Sequence, residues 1–321
     1  MLCHHCCSVL PSSLLTLGEW GAEFGQLIAT RSLKANTLTG RVRQISKLVE
    51  ILGGPERKIA TIRPVDVATA IRAVFDSGCE HLALRLHIEA DDLFNEAIMA
   101  GHVGLNPVTH LKRPRPLVRR SRLTLEQLQQ IRRQSIRHGR YWLVDAMDIA
   151  LVTGLRIGDV VKLRASHVVE DHLLITQQKT GVRQAIPLEL RLDVARITLR
   201  KLVERCIAGK TEHEPLISKK SGRAYHKNYL TSAFSSERDL ALPRSTWDDG
   251  KRPATFHEIR SLAERLYRDQ GQDTKALLGH KRQSTTDLYN DDRGVEGEVF
   301  RVVPTPRRRS SKTYIRATTP T

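Results

Sequence analysis

Arg156, Lys179, His257, Arg260, His280 and Tyr289 have side chains suited to work on a phosphate group, and five short segments carry them. In TGLRIGDVVKL (Thr153–Leu163), Gly154 ends one helix and Arg156 stands where the next begins. A guanidinium placed there can grip a phosphate through its planar fork, or simply pair with Asp159 three residues on. Lys179 lies in the turn QQKTG, either as an exposed turn lysine or as an ammonium able to protonate a leaving oxygen. In ATFHEIRSLAERLY (Ala254–Tyr267), Thr255 and Glu258 have capping-box spacing, so a helix is predicted to start there. His257 and Arg260 then share one face near the positive end of the helix dipole, which is a ready phosphate site. His280 follows Gly279 in LLGHK, and Tyr289 comes nine residues later in STTDLYN. Taken singly, the first reads as a structural histidine at a helix end and the second as a packing residue.

The elements that must hold these residues follow from periodicity. Leu38, Val42, Ile45, Val49 and Leu52 recur at steps of three and four, and Gly53-Gly54 stops that helix. A second helix is predicted from Pro64 to near Gly78 and a third from Glu80 to Ala100, giving an all-α unit. Further helices are expected over LTLEQLQQIRRQ and Tyr141–Thr153, then a hairpin of His172–Gln178 and Val182–Pro187, then helices from Leu190 onward. Between the two regions, NPVTHLKRPRPLVRRSRLT (Asn106–Thr124) carries Lys112, Arg113, Arg115, Arg119, Arg120 and Arg122 and no acid. Its prolines forbid a continuous helix. It reads both as a linker and as a basic strap along phosphates.

In this order the segments TGLRIGDVVKL, QQKTGVRQAIPL, TFHEIRSLAERLY, LLGHKRQSTTDLYNDDRG and NPVTHLKRPRP strongly resemble the tyrosine recombinase (phage integrase) family, and within it the lambda-type integrases. The resemblance spans about residues 35 to 300. It implies a mainly α fold with a small β-sheet (α+β): a helical core-binding domain over 31–110, a basic linker over 111–122 and a catalytic domain over 123–303. Residues 1–30 are expected to be a short leader with no complete arm-binding domain, and 304–321 a basic, disordered tail. By the same resemblance Arg156 and Arg260 hold the scissile phosphate, and Lys179 is general acid to the departing 5′-oxygen. His257 donates to the phosphate, His280 binds one of its oxygens, and Tyr289 is the nucleophile that forms a 3′-phosphotyrosyl bond. The stretch VEGEVFRVV (Val295–Val303) matches a segment that packs on a neighbouring protomer, or else forms an edge strand in its own domain.

The chemistry of those residue types is consistent with these roles. A phosphodiester is already anionic, so a site must neutralise the charge that grows in the transition state; two guanidiniums and an imidazole do so without a metal. A covalent tyrosine ester conserves the energy of the broken backbone bond, so rejoining needs no ATP. No metal and no cofactor is expected: the chain has neither a P-loop nor an Asp/Glu cluster of the two-metal nuclease kind.

Composition points the same way. The 321 residues carry 52 Lys and Arg against 35 Asp and Glu, a net charge of +17 that draws polyanions. A 40% hydrophobic content supports real cores, and no apolar run is long enough to span a bilayer. The five cysteines are too unevenly placed for a disulfide framework. Cys3-His4-His5-Cys6-Cys7 contains zinc-ligand types, yet a frayed leader explains it better than a metal site. The expected partners are double-stranded DNA, a homotetramer on that DNA, a host DNA-bending protein and an excisionase; the expected location is the bacterial cytoplasm, on the nucleoid. The competing readings are a Xer-type resolvase, which shares the catalytic residues, and a catalytically silent DNA-binding relic, which would have lost at least one of them.

Overall fold

The computed structural model describes residues 15–117, 120–247 and 250–279. The chain divides into two compact units, Met1–Val118 and Arg119–Thr321. His280, Tyr289, the VEGEVFRVV stretch, the basic tail, Arg119 and the Cys/His cluster lie outside the described residues.

The first unit is helical: α1 (Leu17–Thr30), α2 (Ala35–Ile51), α3 (Pro64–Asp76) and α4 (Glu80–Met99). Helices α2 to α4 fall where the periodicity puts them, with Pro64 opening α3 and Gly78 at φ 82° behind it. Within residues 1–30, expected to be a short leader, Leu17–Thr30 forms helix α1 of this unit. Thr16 and Glu19 make a reciprocal capping box at its start. Leu17, Trp20, Phe24 and Ile28, at steps of three and four, are buried in the unit's core with Leu48, Leu86, Leu93 and Phe94. The Trp20 indole donates to the Leu93 carbonyl at 3.2 Å. The end of α1 is tied down by charge: Arg31 pairs with Asp92 and Glu96, and Arg41 with Glu89 and Asp92. Both guanidiniums lie within 6 Å of the Phe24 ring centre, at 5.8 and 5.7 Å. Beyond α4, Lys112–Leu117 has no regular structure, and Lys112, Arg113 and Arg115 are exposed.

The second unit is built around α6 (Tyr141–Thr153). Ten of its thirteen residues are buried, so it is apolar on all sides and must be covered all round. Helices α5 (Leu125–Arg137), α8 (Leu199–Ile207), α9 (Lys227–Ala241) and α10 (Glu258–Asp269) cover it. Short α7 (Ile157–Val160) leads into an antiparallel sheet in the order β1 (Val168–Val169), β2 (His172–Thr176), β3 (Arg183–Pro187), and α11 (Thr274–Leu278) follows α10. The β2–β3 register pairs Leu173 with Ile186 and Ile175 with Gln184.

Helices do not resume directly after Leu190, as the pattern suggested. A small hairpin, β4 (Arg191–Leu192) with β5 (Ile197–Thr198), intervenes before α8. Arg196, at φ 55°, closes its turn with a backbone bond to Asp193 O at 2.9 Å. Two-residue strands are too short to leave a periodicity signal.

Candidate active site

Arg156 owes its position to the glycine two residues before it. Gly154 ends α6 at φ 62°, and a Cβ there would come within 2.7 Å of Leu278 Cδ2. The chain turns sharply, and Arg156 becomes the residue that caps α7, accepting the Asp159 and Val160 amides on its carbonyl. Its guanidinium does not pair with Asp159. It donates from Nη1 to Gln177 Oε1 at 2.6 Å, while Asp159 Oδ1 accepts the Gln178 amide at 2.8 Å and so ties α7 to the hairpin.

Lys179 lies at the exposed tip of that hairpin. The turn is closed by the Gln177 amide on Val182 O and by Gly181, at φ 71°, on Gln177 O, both 2.8 Å.

The capping box predicted at Thr255 does not form as such. Residues Phe256 and His257 make a turn, and α10 begins at Glu258 with His257 as its capping residue. The Glu258 carboxylate pairs instead with Arg122 at 3.2 Å and Arg120 at 4.0 Å. Arg122, with a side chain only 15% exposed, is thus turned inward onto α10, a placement the extended-strap expectation did not include; Arg120 is exposed.

Arg260 is 1% exposed, the largest fully buried side chain among the described residues. Its Nη2 donates to Leu278 O at 2.8 Å and its Nη1 to Gly154 O, so it fastens the ends of α11 and α6. His257 is half-buried one turn away. Burial, reinforced by the positive charges of Arg260, Arg120, Arg156 and Lys179, pushes its imidazole down to about 4, so it is neutral at physiological pH.

The structure therefore brings Arg156, Lys179, His257 and Arg260, from three separate stretches of sequence, into one electrostatic neighbourhood. Helix α11 ends at Gly279, φ 63°, immediately before His280. Among the described residues no group of His, Cys, Asp and Glu could hold a metal ion.

The model of the phage integrase family matches residues 121–294. The integrase of Enterobacteria phage P21 is 38% identical over 292 residues, covering 87% of this chain and 75% of the relative. A crystal structure of a lambda integrase dimer bound to a COC′ core site superimposes with a TM-score of 0.81 at 30% identity, over 89% of this chain and 99% of the other. A lambda integrase tetramer bound to a Holliday junction also superimposes with a TM-score of 0.81 at 30% identity, over 89% of this chain and 80% of the other. The chain belongs to the phage integrase family.

As a member of that family it is a tyrosine-type site-specific recombinase. Its site also contains two residues that motif reading passed over, Gln177 and Gln184. A signal for the first was present. Inward and outward positions alternate along β2, and Gln177 continues the buried series of Leu173 and Ile175. A polar residue on the core side of a strand needs partners, and those partners form the site.

Proposed function

We propose that this integrase-family chain cuts and rejoins DNA strands for integration or excision of a mobile element, with Tyr289 as nucleophile. In the proposed step Tyr289 Oη gives its proton to solvent water and bonds to the scissile phosphorus. The bond from phosphorus to the 5′-oxygen breaks, and Lys179 gives that oxygen a proton. Arg156 and Arg260 compensate the charge gained by the phosphate, His257 donates one N–H to it, and His280 binds another oxygen. Attack on the 3′-phosphotyrosyl bond by the 5′-hydroxyl of a second strand reverses the chemistry and completes the exchange.

The observation that carries this reading is one shared frame for the cations: Gln177 holds Arg156 and meets Leu278 O, which also holds Arg260, while His257 caps the helix of Arg260 and Lys179 tips the hairpin beside Gln177. So much like charge at close quarters calls for an anion, and a phosphodiester has the size and the acceptors. A neutral histidine still offers one N–H, so it contributes a hydrogen bond without adding to the repulsion. Lambda integrase has been crystallised as a dimer on a core site and as a tetramer on a Holliday junction. The likeness supports duplex DNA as partner and a homotetramer as the working assembly here. Exposed Lys112, Arg113, Arg115 and Arg120 are assigned to backbone phosphates. No described helix is long and apolar enough to cross a membrane; a protein acting on a bacterial chromosome belongs in the cytoplasm.

Relaxation of supercoiled plasmid in EDTA without ATP tests the proposal. The wild-type protein is expected to relax the plasmid and Tyr289→Phe to bind it but leave it supercoiled; relaxation by both proteins would overturn the assignment.

A further inference from the structure

Beyond the residues that would touch the phosphate, the structure contains one buried amide that joins three parts of the site. Gln177 is 0% exposed. Its Oε1 accepts from Arg156 Nη1 at 2.6 Å and from Thr180 Oγ1 at 3.0 Å. Its Nε2 donates to Leu278 O at 3.0 Å and to Gln184 Oε1. The amide has only one satisfying orientation, because the donors lie on one side and the acceptors on the other. Leu278 O is also the acceptor of Arg260 Nη2. Gln184 extends the contact, donating to the carbonyls of Ala276 at 2.8 Å and Leu277 at 3.1 Å. The last carbonyls of α11, which a helix end leaves without intrahelical partners, are thus taken up by the β2–β3 hairpin and by Arg260. Gly279 completes the fit: a Cβ there would stand 2.6 Å from Gln177 Nε2 and 3.0 Å from Gln184.

We propose that Gln177 is a positioning residue: it sets the Arg156 guanidinium and locks the Lys179 hairpin to the end of α11, two residues before His280. This rests on the recombinase reading above. The physical reason is the length of arginine's stem. An arginine whose fork is fixed by a buried acceptor has already lost the freedom that binding phosphate would otherwise cost. A neutral amide does this without the penalty of a carboxylate, which would compete with the phosphate for the same guanidinium.

The test measures single-turnover covalent attachment, trapped with SDS, on a supercoiled plasmid that the wild-type protein relaxes. The proteins are wild type, Gln177→Leu, Gln177→Glu, Arg156→Lys, the Gln177→Leu/Arg156→Lys double variant and Tyr289→Phe. DNA affinity by gel shift and melting temperature are recorded for each. Gln177→Leu is expected to slow attachment by about 10- to 100-fold, the scale set by small misplacements of catalytic groups. Its DNA affinity should stay within about twofold of wild type, and the double variant should lose clearly less than the product of the two single losses, because both changes act on the same guanidinium and only the hairpin lock is lost in addition. Gln177→Glu keeps the side-chain shape, guards against a folding defect in the leucine variant, and is also expected to be slow. Attachment at the wild-type rate by either Gln177 variant, or losses that multiply in the double variant, would overturn the proposal. Undiminished attachment by Tyr289→Phe or Arg156→Lys would instead overturn the reading on which it rests.

Discussion

The two guanidiniums at the heart of this site bond to neutral acceptors. Arg156 is bonded to an amide oxygen and Arg260 to two carbonyls, and none of these acceptors is a carboxylate that would compete with an incoming anion. His257 bears the consequence. With its pKa lowered from 6.5 to about 4, chiefly by burial, it stays neutral in the folded protein while an unfolded chain takes up a proton below pH 6.5. The unfolded state then binds more protons, so stability at this residue falls as pH drops from 6.5 toward 4 and is complete above 6.5. An imidazole NMR titration of the free protein checks this: His257 should remain neutral at pH 6, and a midpoint near 6.5 would contradict the placement. Bound phosphate adds negative charge nearby, so the same titration on the DNA complex should shift upward.

At the scale of elements, the site depends on where helices end. Gly154 and Gly279 each terminate a helix in the left-handed region, and each lies where a Cβ would collide with a neighbour. In the sequence, Gly154 and Gly279 were legible as stops, as were the hairpin around Lys179 and the helix that bears Arg260. The bonds that join them were not: Gln177 and Gln184 meet α11 across about a hundred residues of chain, and no local period reports such a contact. Helix α1 was legible but passed over. Its capping box and its apolar series at Leu17, Trp20, Phe24 and Ile28 stood in the sequence, within the 30 residues that the resemblance left outside the core-binding domain. Because Phe24 is fully buried and flanked by two guanidiniums, Phe24→Ala is expected to cost the first unit about 3–5 kcal/mol. Denaturant unfolding followed through Trp20 fluorescence measures it. A loss below about 1 kcal/mol, the ordinary level for a surface substitution, would mean that α1 is peripheral.

For the whole molecule, charge sets how DNA is approached. An excess of 52 basic over 35 acidic residues draws the duplex, and part of that excess sits in a segment without regular structure. Replacing exposed Lys112, Arg113 and Arg115 by glutamine is expected to lower the salt dependence of DNA binding, flattening the log–log slope by roughly 3 if each contacts one phosphate. An unchanged slope would place the three outside the DNA interface. Cleavage rate at saturating DNA should change little, since these side chains hold the backbone rather than the reacting group.

The most direct test of the central claim is the chemical identity of the protein–DNA linkage. Adduct trapped with SDS, digested with protease and nuclease and sequenced by mass spectrometry, should carry a nucleotide 3′-phosphate on the peptide that contains Tyr289. A linkage at any other residue, or strands left cut with no protein attached, would contradict the account.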